Sequence, residues 1–195
     1  MKHVARVALA VLFALGGYGC ALDRSETARW ITLIDGASGM ENWDRIGDAS
    51  WKAEDGAIQA SSGNGYLVTK RSFSDFRLRA EFWASDDANS GIFLRVTNPD
   101  EITPTSSYEV NIFDRRPDPS YGTGAIVGYA KVNTGIKAGG RWNTYDITAH
   151  GSRIVVVLNG VRTVDIEDRT FRRGRLALQA AGGVIKWRRL ELLPL

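Results

Sequence analysis

The sequence predicts an all-β chain folded as a single two-sheet antiparallel β-sandwich. Short runs of alternating apolar and polar residues follow one another at roughly even spacing, with turn-forming residues between them. Two of the breaks, Asp55-Gly56 and Asn159-Gly160, are dipeptides that favour tight hairpins. Beyond the N-terminal leader no segment repeats convincingly at a helical period, and nothing alternates strand with helix as a parallel sheet would require.

Taken in order, the first expected strand covers 30–34. A hairpin follows, with arms 51–54 and 57–60 around Asp55-Gly56. Strands are expected next at 65–69 and 76–83. In the latter, Phe76, Leu78, Ala80 and Phe82 share the apolar face, and Arg77, Arg79, Glu81 and Trp83 share the other. The runs 91–96 and 108–113 alternate in the same way: Ile92, Leu94 and Val96 oppose Phe93 and Arg95, and Tyr108, Val110 and Ile112 oppose Glu109 and Asn111. A short strand at 124–127 precedes a Gly-rich loop. Strands then follow at 142–149, 153–158, 161–166, 175–179 and 184–192. At most 38–42 and 168–171 form a turn of helix, and Trp43, Trp51 and Trp187 are assigned to the core.

The first residues read as an export leader, with Lys2 and Arg6 ahead of the apolar run 7–15 and then Gly16, Gly17, Tyr18, Gly19 and Cys20. That run is too short for a stable bilayer-spanning helix. Two processing routes fit: lipidation of Cys20 with membrane anchoring, or ordinary cleavage after Ala21. The leader is accordingly assigned to 1–21, a polar tether to 22–29 and the domain to 30–195, in an exported protein that is periplasmic or held at the outer membrane of a bacterium. The 195 residues are enough for one domain with a substantial core.

Composition removes several function classes. The net charge is +3, but Lys2 and Arg6 lie in the leader, so the rest of the chain carries 23 basic against 22 acidic residues. A nearly neutral chain does not suit nucleic acid as a partner, because phosphate binding needs a basic surface. Cys20 is the sole cysteine, so neither an intrachain disulfide nor a thiol nucleophile inside the domain is available. The two histidines, His3 and His150, exclude a Ser-His-Asp triad in the usual sense and a multi-His metal site; His150 precedes a turn Gly and reads as solvent-facing. Acid-base chemistry therefore falls to carboxylates. Asp86, Asp87, Asn89 and Asp114 are oxygen ligands of the kind that calcium or another divalent cation prefers, although no loop has a calcium-site spacing.

The segment 89–114 is the richest in functional side chains. Arg95, Glu109 and Asn111 stand among the aromatics Phe93 and Phe113, a combination that suits the floor of a sugar groove, where hydroxyls need polar partners and ring faces need aromatic ones. Were the polar faces of the neighbouring runs one surface, Glu81, Arg95, Glu109 and Asn111 would converge there. The competing expectation is that Arg-Glu pairs decorate an exposed sheet.

A series of short motifs in order carries a family resemblance: Trp30-Ile-Thr-Leu-Ile-Asp-Gly, Trp51-Lys-Ala-Glu-Asp-Gly, Gly65-Tyr-Leu-Val-Thr-Lys, Asn89-Ser-Gly-Ile-Phe-Leu-Arg, Tyr108-Glu-Val-Asn-Ile-Phe-Asp, Trp142-Asn-Thr-Tyr and Gly174-Arg-Leu-Ala-Leu-Gln. Over about 30–195 the chain resembles the 3-keto-disaccharide hydrolase family. The resemblance implies a concanavalin A-like jelly roll and cleavage of glycosides whose sugar is oxidised to a ketone at carbon 3. Two positions depart from the family pattern: Ala180 follows Gln179 where a His is frequent, and Arg141 precedes the Trp-Asn where Glu is frequent. With that activity the expected roles are Glu109 as base or acid, Arg95 and Asn111 as partners of the keto or enolate oxygen, and Glu81, Phe93, Asp114, Trp142 and Gln179 as substrate contacts. A carbohydrate-binding module without turnover is the alternative, and a protein-binding sandwich a third.

Overall fold

The computed structural model describes residues 29–132 and 135–195; the leader, Cys20 and all but the last residue of the tether fall outside them. Thirteen strands form in chain order among the described residues: β1 Ile31–Asp35, β2 Trp43–Gly47, β3 Lys52–Glu54, β4 Ala57–Ala60, β5 Gly65–Phe73, β6 Phe76–Ala84, β7 Ser90–Val96, β8 Tyr108–Ile112, β9 Arg141–His150, β10 Arg153–Leu158, β11 Val161–Glu167, β12 Gly174–Ala180 and β13 Ile185–Pro194. Among the described residues helix is confined to two single 3-10 turns, Met40–Asn42 and Pro119–Tyr121.

The strands make two antiparallel sheets. One runs β11-β10-β9-β6-β13-β4-β3, with β1 also paired to β13, and the other runs β2-β5-β12-β7-β8. Their facing sides share one core. Phe76, Leu78, Ala80 and Phe82 of β6 enter it from the first sheet, and Leu67, Ile92, Leu94, Tyr108, Val110 and Leu178 enter it from the second. Trp43, Trp51 and Trp187 lie in the same core, as their size and apolarity predict. Both hairpin dipeptides turn where expected, with Asp55 and Asn159 in the left-handed region at φ 51 and 50.

Three local expectations are revised. Edge strand β2 is absent from the expected strands; it shows no clear period in sequence, because only Trp43 of its five residues is fully buried. The run 124–127 is not a strand; it lies along β8 through backbone bonds such as Asn111 N to Ala125 O and Val127 N to Glu109 O, and so covers an otherwise open sheet edge. No helical turn forms at 168–171.

The revision that matters most for the site is a bulge in β7. Arg95 adopts φ 55, and β7 advances three residues, from Phe93 to Val96, while β12 advances only two, from Ala177 to Arg175. The extra residue reverses the side-chain parity. Val96 consequently packs with Phe93 on the outer face of the five-stranded sheet rather than with Ile92 and Leu94. Gly174 fits against this bulge, since a Cβ there would lie 2.3 Å from the Arg95 carbonyl carbon and 2.4 Å from Val96 O. Both are backbone atoms with little room to yield. Gly174→Ala is therefore expected to lower stability by about 2 kcal/mol or more, read from urea unfolding; a change within experimental error would mean that the bulge is soft.

Candidate active site

The site grows out of the strand pattern of β8. Tyr108, Val110 and Ile112 are committed to the core, so Glu109 and Asn111 must emerge on the outer face of the five-stranded sheet. Antiparallel register sets Phe93 opposite Glu109 and Gly91 opposite Asn111. It also sets Tyr66 opposite Gln179, and Ile46 opposite Tyr66. With Leu178 paired to Ile92, Gln179 falls across from Gly91, so one row of the outer face reads Ile46, Tyr66, Gln179, Gly91, Asn111. Glu109 and Phe93 belong to the neighbouring row.

Two polar relays orient the amides on this floor. Asn111 Nδ2 donates to Tyr121 O at 2.7 Å, which turns Oδ1 away from that carbonyl. Tyr66 donates its hydroxyl to Ile102 O at 3.2 Å and accepts from Gln179 Nε2 at 3.3 Å, which turns Gln179 Oε1 away. Asn111 Oδ1 and Gln179 Oε1 are both buried with no hydrogen-bond partner among the described residues. An unpartnered buried acceptor costs on the order of 1–3 kcal/mol, and a hydroxyl donor is the group that would remove that cost. Gly91, between the two amides, adds no side chain to the floor, and a Cβ there would come within 3.4 Å of Glu109 Cγ.

Glu109 is 6% exposed. Its carboxyl is pushed up to about 7 by burial, against a weaker opposite pull from the positive charge of Arg116. The loop 97–107 folds over this face and seats Ile102 against Val68, Phe93, Val96 and Ala177. Phe93 meets Tyr66 edge to face at 5.5 Å between ring centres. The site thus has an acid-base group tuned near neutrality in an apolar setting, beside two free acceptors. The pKa shift also carries a stability signature. The native state holds the proton more tightly than the unfolded chain, so stability should fall as pH rises from about 4.5 to 7 and stay level above that, by about 3 kcal/mol in all. Urea midpoints measured across that range for the wild type and Glu109→Gln check this, because the variant should lack the slope.

The other residues expected at the site lie elsewhere. Arg95, fully buried, donates Nε to Ser74 O, Nη1 to Gly151 O and Phe171 O, and Nη2 to Asp75 Oδ1, all at 2.9–3.1 Å. The bulge diverts it from Glu109's face, and its guanidinium is occupied in tying three loops together. Glu81 is on the opposite sheet, paired at 2.6 Å with Arg188, so the decorated-sheet expectation holds for it. Trp142 is also on that sheet, opposite Trp83 and stacked by Arg188 at 4.2 Å. Asp114 fastens the following loop: its carboxylate accepts from Thr123 Oγ1 and from the Ala138 and Gly139 amides, and its carbonyl accepts from Lys137 Nζ.

Two of the oxygen ligands considered for calcium have partners within the protein. Asp114 is engaged as described, and Asp87 Oδ1 accepts from Ser85 Oγ at 2.6 Å. Among the described residues no three His, Cys, Asp or Glu side chains gather around a common point. His150 sits exposed at a strand end, with Nε2 4.0 Å from Asp75 Oδ2. Tyr66, Gly91 and Arg116 were not singled out from sequence as site residues. For Tyr66 a signal existed, since its strand parity sets it on the face opposite core residue Leu67.

Fold and floor together define a β-sandwich of the jelly-roll class. The chain belongs to the family described as the 3-keto-alpha-glucoside-1,2-lyase-like domain, whose model matches residues 29–193. Among solved structures it is similar to a candidate glycosyl hydrolase of Parabacteroides distasonis ATCC 8503, at 22% identity and TM-score 0.72 over 86% of this chain and 100% of that one. A second candidate glycosyl hydrolase from that organism superposes with TM-score 0.76 at 16% identity, over 85% of this chain and 94% of the other. A carbohydrate-binding module of Bacillus subtilis gives TM-score 0.61 at 17% identity, over 76% and 93%. At these identities the likeness is one of fold. No curated protein sequence matches the chain.

Proposed function

We propose that this protein cleaves the glycosidic bond of sugars carrying a ketone at carbon 3, with Glu109 as the acid-base group. The observation that carries the reading is a buried carboxyl, pushed up to about 7 by its burial, beside two buried amide oxygens that have no donor among the described residues. Sugar hydroxyls are suitable donors for both, and family membership supports the keto sugar as substrate.

The ketone makes the hydrogen on carbon 2 acidic. Ionised Glu109 removes it, and the electrons of that bond pass into the ketone as an enolate. On collapse the bond from carbon 1 to the glycosidic oxygen breaks, and its electron pair leaves with the oxygen, which takes up a proton. Water then adds hydroxide to carbon 1 and a proton to carbon 2, so that the net change is hydrolysis. Because Arg95 is withdrawn from the face, the cation whose field reaches Glu109 is Arg116, and we assign it the stabilisation of the enolate oxygen. Asn111 and Gln179 hold hydroxyls through their free oxygens.

Incubation with a 3-keto-glucoside and with the unoxidised glucoside tests the proposal. Cleavage of the keto form alone, with solvent deuterium entering carbon 2, is the expected result. Binding of either sugar without turnover would instead make this a carbohydrate-binding module, a reading that the two free acceptors also favour. We further propose that the chain is exported through its leader. Intact mass of the mature protein separates lipidated Cys20 from an N-terminus at Leu22.

A further inference from the structure

A cleft of about 250 Å³ adjoins the floor on the side away from Glu109. Its walls are Ile46 on β2, the ring of Tyr66, and Ala180-Ala181 at the end of β12. Its base is backbone at Gly47 and Gly65, packed too tightly for side chains: a Cβ would lie 2.3 Å from Asn64 O at the first and 2.3 Å from Ile46 O at the second. The polar side chains on the cleft are the amides of Asn64 and Gln179 and the Tyr66 hydroxyl. Gln179 Nε2 is already given to Tyr66, whose own proton goes to Ile102 O.

Position and chemistry together say what this cleft is for. Neighbouring strands stand about 4.8 Å apart, so Asn111 to Gln179 covers about 10 Å of the row, and Gln179 to Ile46 another 10 Å. A sugar ring held by both free amide oxygens lies over Gly91, and whatever hangs from its carbon 1 on the Gln179 side lies over Tyr66 and Ile46. A second sugar there would bring several hydroxyls to a surface of Ile, Ala and glycine backbone, with too few side-chain partners to replace their water. The volume is below the roughly 300–1,000 Å³ of sites that enclose a drug-sized ligand, and suits a single ring.

We infer that this cleft seats the leaving group of the substrate, and that the group it takes is an apolar aryl or alkyl alcohol rather than a second sugar. The inference rests on the Glu109 reading above. The test compares kcat/KM for benzyl 3-keto-glucoside, an aryl substrate whose alkoxide leaves no more readily than that of a sugar, and for a 3-keto-disaccharide, in wild type, Ile46→Asp and Ala181→Asn. Small apolar groups in an apolar pocket discriminate by about tenfold to two-hundredfold, so the wild type should favour the aryl substrate by about tenfold or more. Each folded variant should shrink that ratio about fivefold or more, through KM for the aryl substrate. Equal use of the two substrates, preference for the disaccharide, or an unchanged ratio in the variants overturns the leaving-group assignment and leaves Glu109 in place. Cleavage of neither keto substrate overturns both readings.

Discussion

Glu109→Gln is expected to lower turnover of a 3-keto-glucoside by about a hundredfold or more with the fold intact, the usual scale for a lost general acid or base. The amide keeps the shape of the carboxyl but cannot accept the proton from carbon 2. The same change should stabilise the protein above pH 7, because the wild type holds a desolvated negative charge there and the variant does not. Loss of activity with gain of stability is what distinguishes a strained functional acid from a structural one. Single-turnover rates and urea midpoints on the same preparations read both effects. Wild-type-like turnover would end the assignment.

Arg95→Leu is expected to cost about 3–5 kcal/mol, the largest stability effect of any substitution considered. Most of that loss comes from the carbonyls of Ser74, Gly151 and Phe171, which would lose their charged donor; Asp75 is partly solvated and contributes less. Arg95→Lys should recover only part, since an ammonium cannot reach four acceptors with the geometry of a planar fork. Urea unfolding measures both variants. A loss below about 1 kcal/mol would contradict the structural role, and a fall in turnover without a fall in stability would return Arg95 to the catalytic group.

These two residues mark what could be read along the chain. In sequence Glu109 and Arg95 are equivalent, each a charged residue among alternating apolar neighbours in the segment 89–114. For β8 the parity rule is sufficient, because the strand is regular: with Tyr108, Val110 and Ile112 inside, Glu109 and Asn111 must be outside. For β7 the rule fails at one residue. No Gly or Pro flags the bulge, which follows from close packing of Gly174 against the Arg95 backbone, a contact between residues 79 positions apart.

The alternation of β6 placed Phe76, Leu78, Ala80 and Phe82 inside and Glu81 outside, and both are so. What alternation could not say was outside of which sheet. Strands β6 and β7 are consecutive, yet they pair in different sheets, so Glu81 lies on the outer face of one sheet and Glu109 on the outer face of the other, where it is buried. Trp142 is displaced for the same reason.

The sequence by itself determined the fold class, most strands, both hairpins, the tryptophan core and the outer-face position of Glu109 on β8, because side-chain alternation and turn chemistry act over a few neighbouring residues. Tertiary structure alone decided which polar faces meet, that Arg95 is structural, and that Tyr66, Gln179, Gly91, Asn111 and Glu109 form one floor. Sheet order and register come from contacts between residues distant in the chain, and local pattern carries no record of them.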